Sequence, residues 1–199
     1  RYKYVRNFMS HVPHTQPSQY KDGKKIVQVI RGLHKEGKLN DQQALPFALR
    51  RPPEELYDLQ NDPHELVNLS ITPTHQKKLA TMRKVLYQRM IETRDVGLIP
   101  EPILEDVGRE AGNKYQAFLD NDHSGQTRRL IDVITAGEVN DGAKLLEYTK
   151  SPDPSTRYWA AVWLGVNKTA DSKATLLKLT ADPVPAIRVA AAQALCKLG

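Results

Sequence analysis

Residues 145–165, "LLEYTKSPDPSTRYWAAVWLG", return 31 positions later as residues 176–196, "LLKLTADPVPAIRVAAAQALC". Leu145/Leu176, Leu146/Leu177, Thr149/Thr180, Pro152/Pro183, Pro154/Pro185, Arg157/Arg188, Ala160/Ala191, Ala161/Ala192 and Leu164/Leu195 coincide at that one offset. Each unit reads as an apolar helix, a proline-bearing turn and a second helix rich in small residues. A period of about 20–50 residues means stacked units, because one such hairpin cannot bury its apolar face alone. The last part of the chain, about 128–199, is therefore expected to be helical throughout. Helices should begin near Pro154 and Pro185, with alanines allowing close approach and Tyr158, Trp159 and Trp163 filling the wider gaps. Cys196 is the sole cysteine. It can form no internal disulfide or two-cysteine metal motif, and its alanine-rich setting predicts a buried structural thiol.

The first half obeys different rules. "RYKYVRNF" alternates and is rich in aromatic residues, as a strand should be. It carries neither an initiator Met nor an apolar signal core, so the chain reads as a piece of a longer protein. "MSHVPHTQPSQYKDG" is an irregular loop by its prolines and closing Asp-Gly. Ile26, Val29, Ile30 and Leu33 then recur at helical spacing up to Gly37, and Asn40 is placed to cap a further short helix that Pro46 must bend or end. Arg51-Pro52-Pro53 keeps the chain extended. "EELYDL" predicts a second strand, "NDP" a turn, and Thr72-Pro73 the start of a helix over about 73–93 with Leu79, Met82, Leu86 and Met90 on one face. Tyr57 or Leu59 is expected to pin the strand to that helix.

Charge divides the halves. Residues 1–52 hold eleven Lys/Arg against Asp22, Glu36 and Asp41, a net of +8, whereas the rest of the chain is at −2. Such a field favours an anionic partner: nucleic acid, or a sulfated or phosphorylated polymer. No nucleic-acid reader motif accompanies it. No run of about 18 apolar residues exists, which excludes a membrane-spanning helix.

"EELYDLQNDPHELVNL", followed by "TP" and a long helix, resembles the C-terminal signature of the sulfatases of the alkaline-phosphatase-like superfamily. "RYKYVRNFM" before it and "ETRDVGLIPEPILED" after it occur in family order. The nearest subgroup is heparan N-sulfatase (sulfoglucosamine sulfohydrolase) with its bacterial relatives. The repeats resemble HEAT repeats, an appendage that most sulfatases lack. The resemblance implies an α+β fold. Residues 1–108 would form the sulfatase C-terminal subdomain, a small antiparallel sheet of about four strands covered by a helix, with strands preceding Arg1; residues 109–127 would be a connection; and 128–199 an all-α HEAT-like region. It also implies a parent enzyme that uses calcium and a formylglycine, acts on a sulfated carbohydrate, and is secreted, periplasmic or lysosome-like.

The chemistry itself is not legible in these residues. Cys196 is followed by Lys197-Leu198-Gly199 rather than by a C-x-P-S-R-type run, and neither "DND" at 120–122 nor the pair Asp58/Asp62 has the ligand count calcium needs. No catalytic or metal-binding residue is assigned, and the missing catalytic domain is the first partner expected. Arg6 and Asn7 at the strand end, and His11 and His14 in the adjoining loop, are the candidates for contact with a sulfated sugar. At Ser10-His11 the chain departs from the family, which often has a Pro-Glu-type pair there. His64 reads as a polar cap at its turn, and His75 and His123 as solvated. Two function classes remain: the accessory part of a carbohydrate sulfatase, or a non-catalytic module whose repeats bind a protein partner.

Overall fold

The computed structural model describes residues 1–115 and 124–199. They form two compact units, Arg1–Arg83 and Lys84–Gly199. The chain is α+β, with a two-stranded antiparallel sheet and a majority of helix. The run at 120–122 and His123 lie outside the described residues.

In the first unit, β1 (Tyr2–Arg6) pairs with β2 (Glu54–Asp58), Tyr2 opposite Asp58 and Arg6 opposite Glu54. Between the strands runs an excursion with three short helices. α1 is Gln19–Asp22, α2 is Lys25–Lys35 and α3 is Asp41–Ala44. Gly37 closes α2 at φ +66°, with Gly37 N–H bonded to His34 O and Lys38 N–H to Leu33 O, a left-handed cap that glycine enters without steric cost. Asn40 and Gln43 form a capping box on α3, and Pro46 sits in the 3₁₀ turn that ends it, Leu45–Phe47. After β2, Leu69–Ile71 and Pro73–His75 are 3₁₀ turns leading into α4, Gln76–Glu92.

One expectation for this unit needs correction. Leu59 does not pin the strand: it lies just past β2 and is 39% exposed, while Leu56 is 0% exposed and Tyr57 is buried. The expected amphipathic helix is present as α2, and its periodic stripe is largely exposed. Ile26 is 76% exposed and Val29 and Leu33 are open, because α2 turns Val27 and Ile30 toward the Leu45–Phe47 turn instead.

The second unit contains α5 (Glu101–Glu110), α6 (Ser124–Glu138), α7 (Gly142–Tyr148), α8 (Pro154–Asn167), α9 (Ser172–Leu179) and α10 (Pro185–Leu198). Helices α8 and α10 begin on the equivalent prolines, as the repeat requires. Asp153 caps α8 through the N–H groups of Ser155 and Thr156. Packing is close wherever the small residues fall. A Cβ on Gly137 would lie 2.1 Å from the Trp163 ring, so that glycine is the seat of the buried indole. Trp159 donates through Nε1 to Leu98 O at 2.8 Å. Cys196 is a second correction: it is exposed, on the outer side of α10, while Ala190, Ala191 and Ala194 take the inner side.

Two substitutions test this packing. Leu56→Ala should cost about 2–5 kcal/mol and Leu59→Ala much less, measured by denaturant unfolding. Ala191→Leu, at a site 0% exposed, should overpack the interior and lower stability by about 1–3 kcal/mol in the same assay.

Candidate functional site

The acidic side chains of "EELYDLQNDPHELVNL" and Asn68 are all engaged in hydrogen bonds or ion pairs. Glu54 accepts from the Tyr4 hydroxyl and from both Nε and Nη2 of Arg83, the Nε contact at 2.6 Å. Burial raises its pKa, but these charge-assisted bonds outweigh it and keep the carboxyl below its usual range. Glu55 takes Asn7 Nδ2 and the Tyr57 hydroxyl. Asp58 accepts Arg1 Nε at 3.0 Å and Nη2 at 2.6 Å, together with Asn61 Nδ2 at 2.8 Å, and the Arg1 bonds lower its pKa to about 2. Asp62 takes the N–H groups of Leu66 and Val67, so Asp62 rather than His64 caps that turn. Asn68 covers the outer edge of β2, accepting from Leu56 N–H and donating to Glu54 O. The stretch is a polar clamp around a short strand.

The clamp also fixes where the excursion begins and ends. Asn7 N–H donates to Pro53 O at 2.9 Å, and Asn7 Nδ2 donates to Pro52 O. Arg6 Nη1 donates to Pro53 O at 2.9 Å, and its guanidinium lies over the Phe8 ring at 4.6 Å. Arg6 and Asn7 are therefore built into the neck of the excursion. His11 is half-buried in a loop that Arg51 ties down, through N–H to Ser10 O, Nε to Val12 O and Nη2 to Met9 O. Sequence reasoning overlooked Arg51 because, beside two prolines, it read only as extended chain.

His14 has a different setting. It is exposed at a cavity of about 330 Å³ whose walls include Lys21, Val27, Ile30, Arg31 and Phe47. Phe47 is held by stacking on His34, centroids 4.4 Å apart. Arg31 binds Asp22 at 2.7 Å, and Asp22 accepts Ser18 N–H, which joins α1 to α2. Arg31 Nε is buried and has no hydrogen-bond partner among the described residues, an unused donor beside the cavity. The cavity thus combines three basic side chains with an apolar wall, a lining suited to an anionic ligand that has an apolar face. Arg31 carried no signal in the sequence beyond its share of the basic excess. Of the four predicted residues, only His14 lines this cavity; Arg6 and Asn7 hold the neck beside it, and His11 lies in the loop that Arg51 ties down.

Among the described residues no three His, Cys, Asp or Glu side chains converge as metal ligands, and no helix is long and apolar enough to cross a membrane.

Comparison with known proteins finds two likenesses. Residues 142–199 match the family of HEAT repeats. The chain is also 37% identical over 101 residues to an ulvan-active sulfatase of Formosa agariphila, a match covering 51% of this chain and 17% of that protein. This chain thus corresponds to a small part of the relative's length. No solved structure matches.

The depressed carboxyl of Asp58 sets a pH dependence. A carboxyl with a pKa of about 2 in the fold and about 4 in the unfolded chain favours folding above pH ~4, and that contribution disappears as pH falls toward ~2. Calorimetric melts across this window should show stability falling with acid, and Asp58→Asn should flatten the fall.

Proposed function

We propose that this chain is the C-terminal portion of a carbohydrate sulfatase, an enzyme that hydrolyses sulfate esters or sulfamates of sulfated sugars, with its catalytic domain in sequence outside these residues. The likeness to the ulvan-active sulfatase carries the reading. The three segments that resemble sulfatases near heparan N-sulfatase support it, as does the basic first half. By the same resemblance the parent belongs to a secreted, periplasmic or lysosome-like compartment.

Calcium and a formylglycine come with that family. The described residues fit neither, since no ligand cluster forms among them and Cys196 lacks the sequence context for conversion. What this portion contributes is substrate binding. Lys21 and Arg31 offer positive charge and His14 a ring N–H donor to a sulfate or carboxylate, and Val27, Ile30 and Phe47 offer an apolar wall to a sugar-ring face. Arg6, Asn7 and Arg51 position the loop that carries His14.

The test compares the purified chain with the parent bearing its preceding sequence. Sulfate release is measured from ulvan oligosaccharides, heparan-sulfate oligosaccharides and a chromogenic aryl sulfate. The chain alone should release none, and the parent should act on a sulfated sugar. In the parent, Lys21→Ala should raise KM roughly 3–10-fold with kcat little changed, an effect that shrinks as salt is added. Turnover by the chain alone, or a parent inert toward every sulfated sugar, would refute the reading.

A further inference from the structure

Arg1, Arg83 and Arg157 each meet a distant carboxylate edge-on, giving both Nε and Nη2 to Asp58, Glu54 and Asp182 in turn. The two N–H bonds of that edge run parallel and match two oxygens of one oxyanion, which suits it to carboxylates and to tetrahedral anions alike. Arg31 leaves the same edge half used. Its Nη2 donates to Asp22 Oδ1 at 2.7 Å and, more weakly, to Gln16 O at 3.4 Å. Its Nε is buried and has no hydrogen-bond partner among the described residues. Asp22 gives Arg31 one oxygen only, because its Oδ2 is turned to the Ser18 N–H at 3.0 Å.

The Arg31–Asp22 pair is also easily opened. The two side chains are 35% and 37% exposed, and ion pairs so open to water are weak. Helix α1, which carries Asp22, has no buried residue, so the carboxylate can move without disturbing a core side chain. A buried donor without an acceptor is unfavourable, and an oxyanion on the Nε–Nη2 edge would remove that cost. The edge in question belongs to an arginine that lines the cavity of about 330 Å³, and Lys21, the neighbour of Asp22, lines it too.

Resting on the reading of this cavity as a sulfated-sugar site, we propose that Asp22 is a built-in competitor for the ligand's anion: it holds Arg31 Nη2 until a sulfate group takes Nε and Nη2 together. Asp22 then sets how tightly the cavity holds its ligand. The exchange favours sulfate over carboxylate. A sulfate ester keeps a third terminal oxygen for Lys21 after two are given to Arg31, whereas a carboxylate has none left.

The test measures binding to the purified whole chain by calorimetry, with inorganic sulfate and with oligosaccharides from ulvan and heparan sulfate. Asp22→Asn, which keeps an oxygen for the Ser18 N–H, should tighten binding of the sulfated probes about 2–5-fold, the contribution of one partly exposed ion pair. Arg31→Gln should weaken binding, and adding Asp22→Asn to it should restore nothing, since the competition needs the guanidinium. Loss of a negative charge acting only at a distance would help both backgrounds equally. The Arg31 Nε–H proton resonance, identified by its absence in Arg31→Gln, should move downfield in the otherwise unaltered chain as a sulfated probe saturates it. Weaker binding by Asp22→Asn, an equal gain in the Arg31→Gln background, an unmoved Nε–H resonance, or no binding by either chain overturns the proposal. None of these readouts involves turnover, so their failure leaves the sulfatase reading standing, and a parent inert toward sulfated sugars overturns that reading whatever the chain binds.

Discussion

The carboxylate of Glu54 is where three stretches of the first unit meet: its own strand, the Tyr4 hydroxyl of β1 and the Arg83 guanidinium of α4. A two-stranded sheet is marginal in water when left to backbone pairing. Here the strands are also held by side-chain bonds: Glu54, Glu55 and Asp58 reach side chains on or flanking β1 and on α4, and Asn68 holds the backbone of β2. A partly buried carboxylate needs its partners, since removing one leaves a desolvated charge behind. The dense signature after Pro53 is explained by this demand, and no reacting group is needed to account for it.

The same clamp gives the candidate site its setting. Because Arg6, Asn7 and Pro53 close the neck, the helices of the excursion start from a fixed base, and Asp22 then links α1 to α2 through Arg31. The cavity beside His14 inherits that order without belonging to the sheet. In the second unit the organising principle is different: small residues set the spacing, and Arg157 joins the turn of its own repeat to Asp182 in the turn of the next.

Elements with a clean period were legible in the sequence. The repeat and its two proline-started helices, α4, the Asn40 cap and both strands could all be placed from residue order alone. Side-chain destinations were harder. Arg83 sits among the lysines of α4 and reads as solvated, yet it faces Glu54, because strand and helix meet only in the fold. Leu59 continues the strand alternation on paper, but β2 ends at Asp58 and the Asn61–Asp62 turn carries Leu59 outward. The α2 stripe has a helical period, which reports amphipathicity without reporting what the apolar face meets. Cys196 misled for a related reason: in a repeat, burial depends on a neighbour outside the helix being read. The cavity could not be foreseen, since it joins His14, Arg31 and Phe47 from separate segments.

The neck formed by Arg6, Asn7, Pro53 and Glu54 separates the excursion from the sheet in an evolutionary sense as well. Both ends of the intervening 45 or so residues are fixed by bonds that do not involve their interior. Lengthening such a loop adds little entropic cost, because closure depends only logarithmically on its length. Descendants of this chain can therefore exchange, extend or trim the helices between the strands while the clamp folds as before. The part the clamp leaves free to change is the part that lines the cavity, so new ligand preferences are accessible there without rebuilding the sheet.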